Sequence, residues 1–305
     1  MKRSVLLTLL IQLCLCLLMQ AKTINDSIPP GINFDKATFR LWYPDQCKTI
    51  QGVIVLVPGS NGDGRSLVDD PQWQQLAQKY NFALLGCYLT DKPHEDMNIE
   101  EYANVKEGSG QALLDVLAKF ALQSDLPELA NVPLVLWGHS AGGEFNYEFV
   151  CWKPERVLAF VVNKGGYYYS ALAPEQARNV PGIIFTGEKD LEPRRDILKG
   201  IFSINRRAGA LWSFADEPGV GHETGNTQKL AANFFDQIIP LRLHNVSGNK
   251  PSKHLLPLVS DNGFAGDKKK QAFSPFSINQ LHDYEISWLP TATFAKAWVT
   301  FITSR

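Results

Sequence analysis

Val132-Pro133-Leu134-Val135-Leu136-Trp137-Gly138-His139-Ser140-Ala141-Gly142-Gly143 is the stretch on which the reading of this chain turns. Its first half is a short apolar run of the kind that forms a strand buried on both faces. Its second half fits G-x-S-x-G, and a helical segment follows. In that context the pattern predicts a sharp strand-to-helix turn that lifts the Ser140 hydroxyl clear of the sheet. Glycines at 138 and 142 fit because side chains two residues either side of such a turn would collide. The positive end of the following helix would lie close to Ser140. A plain N-cap serine is the competing reading.

Outward from this turn the chain alternates strands with helices. Gly52–Val57, Phe82–Leu89, Val157–Asn163, Gly182–Thr186 and Ala210–Ala215 read as further strands. Trp73, Leu76, Ala77 and Tyr80 recur at helical spacing, and Gly110–Leu122, Lys229–Ile239 and Thr291–Ile302 read as amphipathic helices. Such alternation predicts an α/β fold with a mostly parallel central sheet and helices on both faces. Residues 37–43 add an antiparallel edge in this reading. Residues 244–287 are rich in turn formers, so 244–305 is expected as an appendage on the core at about 37–240, within a single domain spanning 22–305.

A serine hydroxyl is a weak nucleophile and needs a base and an orienting acid. The strand Gly182–Thr186 runs into Gly187-Glu188-Lys189-Asp190, offering Asp190 as the acid, with Glu188, Glu192 and Asp216 as rivals. The strand Ala210–Ala215 leads to Pro218-Gly219-Val220-Gly221-His222, offering His222 as the base. Of the other histidines, His139 lies in the elbow and His94 after the second strand, while His244, His254 and His282 fall in the appendage. The backbone N–H of Ala141 is one expected oxyanion donor, and the loop Pro58-Gly59-Ser60-Asn61-Gly62 supplies the other at Ser60. That loop has neither the G-x-x-x-x-G-K-[ST] nor the G-x-G-x-x-G spacing of a nucleotide site. Candidate substrate contacts are Asn61, His139, Tyr88, Lys164 and Tyr167, the aromatic ones offering rings that stack on a sugar or phenol and equally serving as packing.

The ordered set of a Pro-Gly-led loop, a Gly-His-Ser-Ala-Gly-Gly elbow, Asp190 and His222 resembles the α/β-hydrolase superfamily across residues 37–240. Its flavour is similar to secreted serine esterases of the dienelactone-hydrolase-like and polyhydroxybutyrate-depolymerase or feruloyl-esterase-like groups. The resemblance implies a Ser-acid-His carboxylic-ester hydrolase without metal or organic cofactor. Dienelactone hydrolases themselves carry a cysteine nucleophile; Ser140 stands here, which argues against that substrate. The chain also lacks the His-Gly-Gly-Gly loop of lipases. A small, aromatic or carbohydrate-linked ester is therefore the expected substrate. Acyl transfer or peptide cleavage with the same three residues, or a binding role on an inactive hydrolase fold, are the alternatives.

Composition bounds the partners and the compartment. With 30 Lys+Arg against 31 Asp+Glu among 305 residues, the chain offers no field for nucleic acid. Lys2 and Arg3 precede an apolar run from Val5 to Met19, then Gln20-Ala21, which is the pattern of a cleaved export signal over residues 1–21. The run is too short for a stable membrane span, so a secreted or periplasmic protein is expected. Removing it takes Lys+Arg from 30 to 28 and leaves a mildly acidic chain. Cys47, Cys87 and Cys151 then remain, with no C-x-x-C pair; Cys87 reads as a buried apolar residue and a Cys47–Cys151 bridge is open. Lys268-Lys269-Lys270 reads as a solvated loop. Asn25-Asp26-Ser27 and Asn245-Val246-Ser247 are glycosylation sequons whose use depends on the source.

Overall fold

A computed structural model describes residues 21–45, 47–96, 99–244 and 254–304. The buried strands set its architecture. In β3 (Gly52–Val57), Val53, Val55 and Val57 join one apolar cluster while Ile54 and Leu56 join another. Side chains alternate across a strand, so a strand apolar at every position needs cover on both faces. That cover is provided by helices connecting successive parallel strands.

In chain order, β1 (Ala21–Ile28) and β2 (Lys36–Pro44) precede β3, and α1 (Pro71–Tyr80) connects β3 to β4 (Phe82–Thr90). Then follow α2 (Ser109–Ser124), β5 (Leu134–His139), α3 (Ala141–Trp152), β6 (Val157–Asn163), the short α4 (Glu175–Arg178) and β7 (Gly182–Gly187). The core continues through α5 (Glu192–Arg207), β8 (Trp212–Glu217) and α6 (Thr227–Arg242). The eight-stranded sheet has the order β1-β2-β4-β3-β5-β6-β7-β8. Strands β3 to β8 are parallel, while β2 is antiparallel to both β1 and β4. Leu113 and Leu117 of α2, Phe145 and Phe149 of α3 and Leu198 of α5 pack on one face; Trp73 of α1 and Phe234 and Phe235 of α6 pack on the other.

Local chemistry sets the helix ends. Asp70 caps α1, its carboxylate accepting from the Gln72 N–H at 2.8 Å and the Trp73 N–H at 3.2 Å, with Pro71 in the first turn. Asn81 closes that helix in the left-handed region at φ 54°.

The strand β1 is an addition to the sequence reading. It places the antiparallel edge at Ala21–Ile28 and makes β2 an inner strand. Residues 1–20 of the expected leader and the sequon at Asn245 lie outside the described residues; Asn25 pairs with Arg40 in the β1–β2 ladder. Among the described residues no helix is long and apolar enough to cross a membrane.

The turn-rich C-terminal segment contains a small antiparallel sheet. Strands β9 (Phe264–Asp267), β10 (Ala272–Pro275) and β11 (Ile286–Leu289) stand in the order β10-β9-β11, followed by α7 (Ala292–Ile302). It covers the open edge of β8: the Phe214 N–H donates to Ser287 Oγ at 3.0 Å, and Ser213 Oγ donates to the Trp288 carbonyl at 2.6 Å. Trp288 and Trp298 enter the same apolar cluster as Phe234 and Phe235. Buried Arg206 ties α5 to this segment by donating to the carbonyls of Ile286 at 2.8 Å and Gln280 at 3.2 Å. Lys268, Lys269 and Lys270 pair with Asp216, Glu285 and Asp267. Cys47, Cys87 and Cys151 are all free thiols, so no Cys47–Cys151 bridge forms; Cys87 is fully buried.

Candidate active site

The turn after β5 carries the strain that its sequence predicts. Ser140 sits at φ 53°, ψ −125°, a region costly for a residue with a Cβ. The two glycines permit close approach of neighbouring backbone. A Cβ on Gly138 would lie 2.1 Å from the Gly142 carbonyl oxygen, and one on Gly142 would lie 2.2 Å from that of Val57. The Ser140 N–H donates to the Asn163 carbonyl at 2.8 Å, pinning the elbow to the end of β6.

Asp190 and His222 meet this serine from the ends of β7 and β8. His222 Nε2 lies 2.9 Å from Ser140 Oγ, and His222 Nδ1 lies 3.0 Å from Asp190 Oδ2. Gly187 makes the meeting possible, since a Cβ there would stand 2.1 Å from the Gly221 carbonyl oxygen. The two loops are also joined by the Lys189 N–H donating to Val220 O at 2.9 Å. Burial works against the Asp190 carboxylate, but hydrogen bonds from His222, the Leu191 N–H and Arg194 outweigh it and hold its pKa below the ordinary value. The rival acids have other partners. Glu188 accepts from the Gly219 N–H at 2.7 Å, Asp216 is engaged by Thr186 and Lys268, and Glu192 lies exposed at the start of α5.

Gly59 borders the serine: a Cβ there would be 3.4 Å from Ser140 Cβ. The loop holding Ser60 therefore runs alongside the head of α3, where Ala141 follows the serine. Asn61, at φ 51°, uses its Oδ1 to accept from the Asp91 N–H at 2.8 Å and its Nδ2 to donate to Ser60 Oγ at 3.2 Å. Its side chain thus braces the loop.

Neither a protein-family model nor a curated protein matches the chain. Among solved structures, a Klebsiella pneumoniae protein described as a dienelactone hydrolase aligns with TM-score 0.50 and 17% identity, over 73% of this chain and 98% of that one. The chain has the α/β-hydrolase fold. Also matched are a ferulic acid esterase (TM-score 0.49, 10% identity, 72% of this chain and 96% of that one) and an S-formylglutathione hydrolase from Staphylococcus aureus (TM-score 0.46, 14% identity, 71% and 97%). In this fold Ser140, Asp190 and His222 stand at the carboxyl ends of parallel strands, where open α/β sheets place their sites.

The remaining candidates fall in different places. His139 Nδ1 lies 3.2 Å from Asn163 Nδ2, and its ring lies 5.3 Å from that of His222. Burial pushes its pKa down to about 4, helped by His222 and Lys164, so it stays neutral near pH 7. Lys164 is fully buried, and its ammonium bonds Glu217 at 2.7 Å and the Glu223 carbonyl at 2.6 Å; it braces the His222 loop from beneath. Tyr88 lies beside Lys36 and Arg65, with its ring centroid 5.3 and 5.6 Å from their charges. Tyr167 is exposed beside Tyr169, whereas Tyr168 packs edge-on against Tyr147. Trp137 packs against Trp73 in the core.

Two acids that the sequence reading did not single out occupy the buried side of α3. Glu144 accepts from the Gly166 and Tyr167 N–H groups at 2.6 and 3.0 Å, and Glu148 from those of Tyr169 and Ser170 at 2.8 Å each. Burial, opposed by the Gly166 hydrogen bond and aided by nearby Glu100, pushes the Glu144 carboxyl up to about 7. Their sequence signal was present: acids four and eight residues after Ser140, on one face of a mostly apolar helix.

Proposed function

We propose that this chain is an exported serine hydrolase that cleaves carboxylic esters through an acyl-enzyme, acting on a small, aromatic or carbohydrate-linked ester. The observation that carries this reading is the hydrogen-bonded series Ser140 Oγ–His222–Asp190, 2.9 and 3.0 Å, at a strained elbow. In the reaction His222 takes the Ser140 proton as Oγ attacks the ester carbonyl, and Asp190 orients the ring and stabilises the imidazolium. The N–H groups of Ala141 and Ser60 receive the developing oxyanion. His222 then gives its proton to the leaving alcohol, and water, deprotonated by the same imidazole, resolves the acyl-enzyme.

Catalysis in such a site rests on preorganised donors, and loss of one typically costs about 3–4 kcal/mol of transition-state stabilisation. The site is open rather than enclosed: the His222 side chain is 37% exposed, and Tyr167 and Tyr169 are exposed on the loop that follows β6. An open mouth with exposed rings favours esters attached to a sugar or phenol over a long acyl chain. Residues 22–305 are taken as one folding unit, supported by the packing of Trp288 and Trp298 onto the α6 side of the sheet. Export rests on the basic head and apolar run of residues 2–19.

Hydrolysis of p-nitrophenyl acetate, butyrate and octanoate, with methyl ferulate and an acetylated sugar, tests the reading beside Ser140→Ala. Turnover by the native chain that is lost in the variant, greatest on the short and aromatic esters, is the expected result. Equal turnover by both proteins removes the assignment.

A further inference from the structure

One helical turn beyond Ser140 the structure gathers buried acids, with His94 beside Asp91 and Arg194 within electrostatic range of Glu144. Glu144 lies one helical turn beyond the serine on the same face of α3, and helical side chains lean toward the N-terminus, here toward the elbow. Asp91 is tied to the Ser60–Asn61 loop through its own N–H. Both side chains are more than nine-tenths buried, at 3% and 7% exposure, and each has a carboxylate oxygen without a hydrogen bond: Glu144 Oε2 and Asp91 Oδ2. His94 Nε2 approaches Asp91 Oδ2 only to 3.8 Å. Glu100, also buried, lies within electrostatic range of both acids. Of the basic side chains bordering the 164–169 loop, Arg194 is paired with Asp190 and Lys164 with Glu217.

Two aromatic rings adjoin these acids, with the Tyr169 hydroxyl within electrostatic range of Asp91 and Glu144. Tyr167 and Tyr169 are 38% and 36% exposed and meet edge to face at 5.3 Å. The Tyr167 N–H is held by Glu144, and the Tyr169 hydroxyl donates to the Glu100 carbonyl at 3.3 Å. Ring faces attract cations, and the carboxylates behind them add to that field once ionised, which for Glu144 is above about pH 7. Among the described residues no three potential metal ligands converge, so the geometry suits an organic cation rather than a metal ion.

We propose that the ester substrate carries an organic cation, a protonated amine or quaternary ammonium, seated against Tyr167 and Tyr169 over the Asp91–Glu100–Glu144 wall. This deepens the esterase reading and rests on it for the reacting bond, but the cation site itself can be tested without turnover.

The probes are acetylthiocholine and its uncharged isostere 3,3-dimethylbutyl thioacetate, compared by kcat/KM at about pH 8, where Glu144 is ionised, after correction for their uncatalysed rates. A preference of about tenfold for the cationic ester is expected, falling toward parity in Glu144→Gln and in Tyr167→Leu. The second substitution changes an exposed side chain and tests the ring independently of the buried acid. In parallel, saturation-transfer NMR on the Ser140→Ala protein should detect bound tetramethylammonium, and the signal should vanish when Tyr167→Leu is added. Equal kcat/KM for the two esters with no tetramethylammonium contact overturns the proposal, as does a preference that survives both substitutions. Cation contact without ester turnover upholds the cation site and removes the esterase reading instead.

Discussion

Replacing Gly187 by alanine perturbs the site without touching a reacting group. The added Cβ would stand 2.1 Å from the Gly221 carbonyl oxygen, whereas ordinary contact begins at 3.4 Å. The shortfall, 3.4 against 2.1 Å, is about 1.3 Å, and in a close-packed interior it must be met by backbone movement. The obstructed atom belongs to the residue immediately before His222, so the imidazole moves with it. A displacement of about 1 Å from reacting geometry costs on the order of 100-fold in rate, or about 2.7 kcal/mol. Overpacking adds about 1–3 kcal/mol of lost stability. The control is Gly200→Ala on α5, where no atom lies within 4 Å of the new Cβ. There the helical gain of alanine over glycine, about 0.5–1 kcal/mol, should raise the melting temperature and leave the rate alone. Steady-state kinetics on p-nitrophenyl acetate with thermal unfolding of both variants decides the matter. Wild-type kcat/KM in the Gly187 variant would refute the claim that this close approach positions the base.

Other substitutions separate supporting roles from chemical ones. Lys164→Met strands Glu217 as a buried charge and should destabilise the protein by about 3–5 kcal/mol in urea unfolding; unchanged stability would mean that the pair is not desolvated. Glu144, whose folded pKa is raised to about 7, keeps its proton in the native state between its unfolded value near 4.5 and 7. The native state then binds more protons, so its contribution to stability falls as pH rises through that window. Glu144→Gln should gain up to about 3 kcal/mol relative to wild type between pH 4.5 and 8. His139 works in the other sense. Its folded pKa near 4 against 6.5 unfolded means that stability is lost as pH falls from 6.5 toward 4, and His139→Gln should flatten that limb. Urea midpoints across pH 4–8 read both effects, and parallel curves for wild type and variants would contradict them.

Much of the core was legible because its strands are apolar at every position and its helices keep one apolar face. Strand 52–57 is reproduced residue for residue, and the elbow falls where the glycines put it. The edge strand β1 was not read, because Ala-Lys-Thr-Ile-Asn-Asp-Ser-Ile is mostly polar and only Ile24 and Ile28 pack on the core. The strands of the small C-terminal sheet are four residues each, too short for a period to register against surrounding turn formers. The meeting of Asp190 and His222 with Ser140 was foreshadowed by their places after strands. Lys164 was misread as a substrate contact because a lysine in a loop ordinarily faces solvent; only its partner Glu217, 53 residues away, makes its burial tolerable. Glu144 was passed over because an acid in a helix is ordinary until its burial is known.

The central claim is that Ser140 is the nucleophile, and a fluorophosphonate probe tests it most directly. Intact-mass and peptide-mapping spectra of the labelled native chain should show one phosphonate on Ser140, with labelling lost in Ser140→Ala and slowed in His222→Gln. An unmodified protein, or an adduct on any other residue, would contradict the account.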